Sequence, residues 1–228
     1  YVSNLSYFSQ QGIIGGEKSQ FDRITARLNT KSKVNKVFSF GNNLTYTYIA
    51  RKSIGSNESF NGAYSSALNL DPLTPLYEEN PDILAQAPYS TEPVVKDGSG
   101  RVYGISNYVG AEVVNPMALL EIQNGETRVD KIVGNIFGEA EIIKGLKVNT
   151  SLGIDLAYVL NGGYRPLFYL NGAQLNVEKT SVNKSIDRYY NWQWENTVSY
   201  SRKIKEHNFS LLAGTSAFKR NYENLYGF

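Results

Sequence analysis

Apolar and polar residues alternate one by one through much of this chain. From Val37 to Ala50, Phe38, Phe40, Leu44, Tyr46 and Tyr48 share one parity, and Ser39, Gly41, Asn43, Thr45 and Thr47 share the other. Successive side chains of a β-strand point to opposite faces, so this parity predicts a strand with one aromatic, apolar face and one small, polar face. Leu146–Tyr158 repeats it: Leu146, Val148, Leu152, Ile154, Leu156 and Tyr158 oppose Lys147, Asn149, Ser151, Gly153 and Asp155. In Tyr190–Ser201, Tyr190, Trp192, Trp194, Val198 and Tyr200 oppose Asn191, Gln193, Glu195, Thr197 and Ser199. His207–Ala217 follows the same rule except at Leu212, and Phe21–Asn29, Val133–Ile142 and Tyr1–Gln10 follow it less cleanly.

The pattern predicts an all-β, antiparallel chain of about seven strands, near residues 1–10, 20–31, 37–51, 128–142, 146–160, 188–203 and 207–219. Proline cannot donate to a β-ladder, and all seven prolines fall between Arg51 and Thr127 or between Leu160 and Asp187. Long loops are therefore expected near 52–127 and 161–187. Within the first, Ala67–Leu73 reads as a short helical turn ended by Pro72, and Asn115-Pro116 as a turn before the next strand. The remaining connections are short: Lys31–Lys36, Lys144-Gly145 and Lys203–Glu206, with a moderate one at Gln11–Ser19.

Strands of this length, joined by short turns at one end and long loops at the other, match a transmembrane β-barrel wall, whose tilted strands need about 9–11 residues to cross. Phe38, Phe40, Tyr46, Tyr48, Tyr158, Trp192, Trp194 and Tyr200 then become membrane-interface aromatics. Arg23, Arg27, Asn43, Asn149, Asp155, Gln193 and Glu195 become lumen-lining residues. The composition fits: Tyr 17, Phe 10 and Gly 20 suit a sheet wet on one face and lipid-covered on the other. Seven strands do not close a bacterial barrel, and both chain ends read as cut, so the chain is expected to be a fragment of one barrel domain. A soluble carbohydrate-binding sandwich with one wet face, or a passive barrel or adhesin, would share the alternation.

Candidate chemistry is sparse. A net charge of +2 does not call for a nucleic-acid partner, and with Cys 0 and His 1 no metal site or cofactor is expected. Glu139, Glu141, Asp155 and Glu195 could be read as a glycosidase pair, but a wet lumen accounts for carboxylates without catalysis. His207 lies in a turn without partners for a triad, so no enzyme is expected. The loop aromatics Tyr64, Tyr77, Tyr89, Tyr103 and Tyr108, with Tyr164, Phe168 and Tyr169, admit two readings: a platform for a ligand, or the private core that an ordered long loop requires.

An ordered set of segments resembles the SusC/RagA-type TonB-dependent transporters of Bacteroidota outer membranes. These are YFSQQGIIGG and FDRITARLNTKSKVNKVFSFGNNLTYTY, then ALNLDPLTPLY, DGSGRVY and NPMALLE, then FGEAEIIKGLKVNTSLGIDL and NWQWENTVSYSRKIKEHNFSLLAGTSA. The resemblance implies a place in a barrel of about 22 strands in the bacterial outer membrane. It implies import of oligosaccharides or oligopeptides, a SusD-like surface lipoprotein as lid, and a plug and TonB-engaging segment that this chain does not contain. The rest of the same transporter and the surrounding lipid would be its other partners.

Overall fold

A computed structural model describes residues 1–54 and 62–228. Part of the first long connection, 55–61, lies outside the described residues. The long antiparallel strands are β1 (Val2–Gln11), β2 (Gln20–Lys33), β3 (Phe38–Lys52), β4 (Gly125–Ile143) and β5 (Leu146–Arg165). Two short strands, β6 (Phe168–Tyr169) and β7 (Leu175–Asn176), pair with each other in the second loop. The main sheet resumes with β8 (Ser181–Ile204), β9 (His207–Lys219) and β10 (Tyr222–Gly227). Its order is β1-β2-β3-β4-β5-β8, with β9 and β10 both along the far side of β8.

β9 and β10 keep one register against β8, Trp192 facing Lys219 and Tyr189 facing Tyr222. Between them Asn221 closes the gap by donating its side-chain amide to the Tyr190 carbonyl at 2.9 Å and accepting the Tyr190 N–H at 3.2 Å. The pair is one edge line with an interruption, so the sheet has the seven lines that the alternation predicts.

The tight turns share one end. Lys144-Gly145 joins β4 to β5 with Gly145 at φ +90°, and Lys205-Glu206 joins β8 to β9 with Lys205 at φ +55°. A Cβ on Gly145 would meet the Ser201 carbonyl at 2.2 Å, so glycine is required there by both conformation and space. Between β2 and β3, Asn35 accepts the Val37 and Phe38 N–H groups, each at 2.8 Å.

The second loop is shorter than the expected 161–187, because β5 runs on to Arg165 and β8 starts at Ser181. Asn161–Arg165 is mostly polar or glycine at both parities, and in Ser181–Asp187 Lys184 interrupts the apolar parity of Val182 and Ile186, so the ladder continues there with only a weak alternation to mark it. The first loop also differs. α1 (Ala63–Asn69) begins earlier than the expected turn, and α2 (Pro81–Leu84) was not anticipated. Asn115-Pro116 does not make a turn: it starts α3 (Pro116–Ile122), with Asn115 as N-cap and proline in the first turn, where its missing N–H costs nothing.

No second sheet covers the main one among the described residues. The buried apolar cluster lies in the loops: Ala63, Val95, Tyr103, Val114, Ala118, Leu119, Leu120, Phe168 and Leu170. Asn115, 4 % exposed, holds this cap together by donating to the carbonyls of Leu76 at 3.0 Å and Gly104 at 3.2 Å. Asn171 ties the second loop to the first, donating to Ala111 at 3.1 Å and accepting from Ala173 and Gln174 within its own turn. The result is a bare, two-faced sheet with a packed cap at its loop end.

Candidate binding faces of the wall and its loop cap

Strand register sorts every long-strand residue onto one of two faces. Asn43 pairs with Asn29 and Asn135, Asn135 with Gly153, and Gly153 with Gln193. Following such rows across the sheet, Arg23, Arg27, Asn43, Asn149, Asp155, Gln193 and Glu195 all fall on one face. Phe38, Phe40, Tyr46, Tyr48, Tyr158, Trp192, Trp194 and Tyr200 all fall on the other.

The first face carries connected polar groups. Asn43 donates to Asn135 at 3.0 Å, and Asn135 donates to Ser151 at 2.8 Å. Lys131 pairs with Asp155 at 3.2 Å, Lys31 with Glu139 at 3.1 Å, and Gln193 donates to Glu195 at 2.8 Å. Near the loop end Thr127 donates to Asn161 at 2.9 Å, Asn161 to Ser185 at 3.1 Å, and Tyr222 and Asn224 both donate to Asp187. Each acidic side chain once read as a catalytic candidate here is engaged by a cation or an amide donor, apart from Glu141, which accepts the Gly145 N–H at 3.2 Å. The hydrogen bonds and ion pairs hold these side chains in place along the polar face.

Lys31, Lys131, Asn135 and Asp187 belong to this polar face but are not singled out by the sequence reading. They have the right parity, but linking parities across loops needs the register.

On the opposite face, Ile132, Ile136, Leu152, Leu211 and Trp194 remain 39 %, 46 %, 43 %, 71 % and 50 % exposed. Such a continuous apolar surface is covered by something, and lipid is the cover that a single bare sheet admits. Polar groups on it are closed off internally: Trp194 donates its indole N–H to Thr150 at 3.0 Å, Thr30 donates to Asn42, and Asn42 donates to the Leu28 carbonyl at 3.3 Å. From Leu146 to Tyr158 the outward side chains of β5 span roughly 30 Å at about 3.3 Å per residue and ~40° tilt, enough for the apolar band.

The aromatics of the loops divide. Tyr103, 4 % exposed, stacks on Tyr77 with centroids 5.0 Å apart, and the Arg101 guanidinium lies 3.9 Å over the Tyr77 ring. Burial pushes the Tyr103 phenol well above its ordinary range, with the Tyr77 hydroxyl and the Glu121 carboxylate adding to the shift, so it stays neutral. Tyr89 is half-buried and accepts the Ile105 N–H at 2.8 Å. Phe168 is in the cap core and Tyr169 is half-buried beside it. Tyr103 and Phe168 thus belong to the buried cluster of the cap, and Tyr77 packs against it. Tyr64 and Tyr108 are 55 % and 68 % exposed on the cap, while Tyr164 stands on the outward face of β5, opposite Val182.

Two carboxylates staple the cap. Partial burial pushes Asp97 up, but the Arg101 guanidinium and the N–H groups of Arg101 and Ser99 outweigh it and hold the carboxyl at about 2. Asp71 is lowered by the Ser106 hydroxyl and by the hydroxyl and N–H of Thr74.

No family model matches the chain. Among curated proteins it is similar to "TonB-dependent receptor P3" of Formosa agariphila, 25% identical over 226 residues, which is 99% of this chain and 20% of that protein. Among solved structures it resembles the RagAB peptide importer in its open-open state, with a TM-score of 0.67, 16% identity, 98% of this chain and 23% of that one. The RagAB peptide transporter gives a TM-score of 0.66 at 19% identity, with 99% and 24% covered. The chain therefore spans about a fifth to a quarter of the length of these relatives. Both kinds of likeness agree with the resemblance read from the sequence: the chain is similar to TonB-dependent receptors of the SusC/RagA type along nearly its whole length, and what it contributes to that architecture is a stretch of outer-membrane β-barrel wall.

Proposed function

We propose that this wall serves a TonB-coupled importer of oligopeptides or oligosaccharides, closed by a plug and covered from outside by a SusD-like lipoprotein. The observation that carries the reading is the two-faced sheet. One face carries separate polar pairs from Thr127–Asn161 down to Lys31–Glu139, and the other is apolar. An outward apolar face needs lipid, and a polar face of this kind suits a wet lumen facing a plug or a passing solute. The curated relative is a receptor and the solved neighbours are peptide importers, which favours transport over catalysis and peptides over glycans.

In this reading Arg23, Arg27, Asn43, Asn149, Asp155, Gln193 and Glu195 line the lumen. Tyr64 and Tyr108, exposed on the cap, are available to substrate or lid, whereas Tyr77 and Tyr103 give the cap its shape. The β1 edge and the β9–β10 edge have no neighbour among the described residues. Unpaired backbone groups in lipid cost several kcal/mol each, so further strands of the same transporter complete the ring.

The test is uptake of a labelled oligopeptide by cells carrying the full-length transporter, with and without a protonophore. Saturable uptake abolished by the protonophore is expected. Uptake that rises linearly and ignores the protonophore would mark a passive barrel instead.

A further inference from the structure

On the outward face Tyr46 pairs with Ile132, Ile132 with Leu156 and Leu156 with Tyr190, so the four stand in one cross-strand row. They enclose a groove of about 300 Å3, floored by the two aliphatic side chains. The floor continues toward the turn end as Gly134 and Ile154, then as Ile136 and Leu152. Tyr190, Trp192 and Trp194 form a ridge along one side, and Tyr46 with Leu44 forms the other. From Tyr158 to Leu152 this trough is roughly 20 Å long at about 3.3 Å per residue.

Two tyrosine hydroxyls along it are engaged by carboxylates. Tyr46 donates to Asp130 at 2.6 Å, and Tyr190 donates to Glu223. Arg188, at the loop-side mouth, lies over the Tyr158 ring with Cζ 5.5 Å from its centroid. It is exposed, and among the described residues no carboxylate is within ion-pair distance of it. The nearby Arg128 differs, pairing with Glu126 at 3.0 Å.

We propose that this trough seats an acyl chain of one phosphorylated glycolipid of the outer leaflet, and that the Arg188 guanidinium pairs with its phosphate. Methyl and methylene groups between aromatic ridges match a hydrocarbon chain in shape and polarity. A guanidinium resting on an aromatic face keeps its hydrogen-bonding edge free for a phosphate fork. The mouth lies at the loop end, which faces outward, where the leaflet of a Gram-negative outer membrane is phosphoglycolipid.

The test uses the full-length transporter in mild detergent, delipidated and reloaded with lipid A, with dephosphorylated lipid A or with phosphatidylglycerol, and weighed intact by native mass spectrometry. Retention of lipid A is expected to fall about tenfold on dephosphorylation and by a similar factor in Arg188→Gln. Equal retention of the two lipid A forms by the unaltered protein overturns the proposal, and that comparison does not depend on how a variant folds. Equal retention by wild type and Arg188→Gln overturns it too, as does phosphatidylglycerol held as firmly as lipid A. Uptake is read separately, so the transport reading and the lipid site stand or fall independently.

Discussion

Lys18 fastens the first hairpin to the loop cap through Glu121: its ammonium donates to the Glu121 carbonyl at 2.5 Å and lies 3.7 Å from the Glu121 carboxylate. A second bond reaches the Leu120 carbonyl at 3.0 Å. Both carbonyls belong to the last turn of α3, where helix geometry leaves acceptor capacity spare and a cation is favourable; the Leu120 carbonyl also accepts the Gln123 N–H at 3.3 Å. Lys18→Met is expected to loosen the cap by about 1 kcal/mol, since the side chains are only partly buried. Limited proteolysis should show faster cleavage within 62–124, while the barrel keeps its heat-modifiable migration on gels.

Ser151 and Leu152 are adjacent in β5 and lie on opposite faces. Lysine at 152 puts an ammonium into the apolar band and is expected to cost about 2–4 kcal/mol, while lysine at 151 enters the polar face and costs less than about 1 kcal/mol. Urea unfolding of the full-length barrel in lipid would measure both.

Gly41 is buried under Phe137 on the polar face. A Cβ there would meet the Phe137 ring at 2.5 Å and the Thr30 carbonyl at 2.5 Å. Gly41→Ala is expected to destabilise by about 1–3 kcal/mol through overpacking. Adding Phe137→Ala should recover only part of that, because the Thr30 oxygen belongs to the backbone. A double-mutant cycle in denaturant reads the coupling.

The Asp97 carboxyl is held at about 2 against an ordinary 3.8. A carboxylate lowered in the folded state stabilises it above its unfolded pKa, and that stability is lost as pH falls toward the folded value. The protection of the Ser99 and Arg101 amides, measured against their intrinsic exchange rates, should therefore fall between about pH 4 and pH 2. Asp97→Asn should exchange fast already at neutral pH and lack that acid step.

The wall was legible because lipid forces period two onto every crossing strand, so Phe38 to Tyr48 and Tyr190 to Tyr200 show both faces in their own residues. Legibility weakens toward the loop end. Ser181–Asp187 is fully paired with β5, yet its alternation is faint, because Lys184 interrupts the parity that Val182 and Ile186 share. The cap was legible only as proline-rich loop, because its core joins Ala63, Tyr103, Leu119 and Phe168 from distant segments. Asn115-Pro116 carried a helix-start signal that the turn reading passed over. Which polar residues meet one another depended on register: Asn43 reaches Asn135 only once the connection between β3 and β4 is folded.

The central claim is that alternate residues of these strands face lipid and water. The chain has Cys 0, so a single cysteine can be placed in turn at each position from 148 to 158 of the full-length protein, stripped of any other cysteine, spin-labelled and reconstituted in bilayers. The account predicts high oxygen accessibility at 148, 150, 152, 154, 156 and 158, high accessibility to a water-soluble nickel chelate at the intervening positions, and reversal at every step. Uniform accessibility along the strand, or labels at 152 and 154 that favour the chelate, would contradict it.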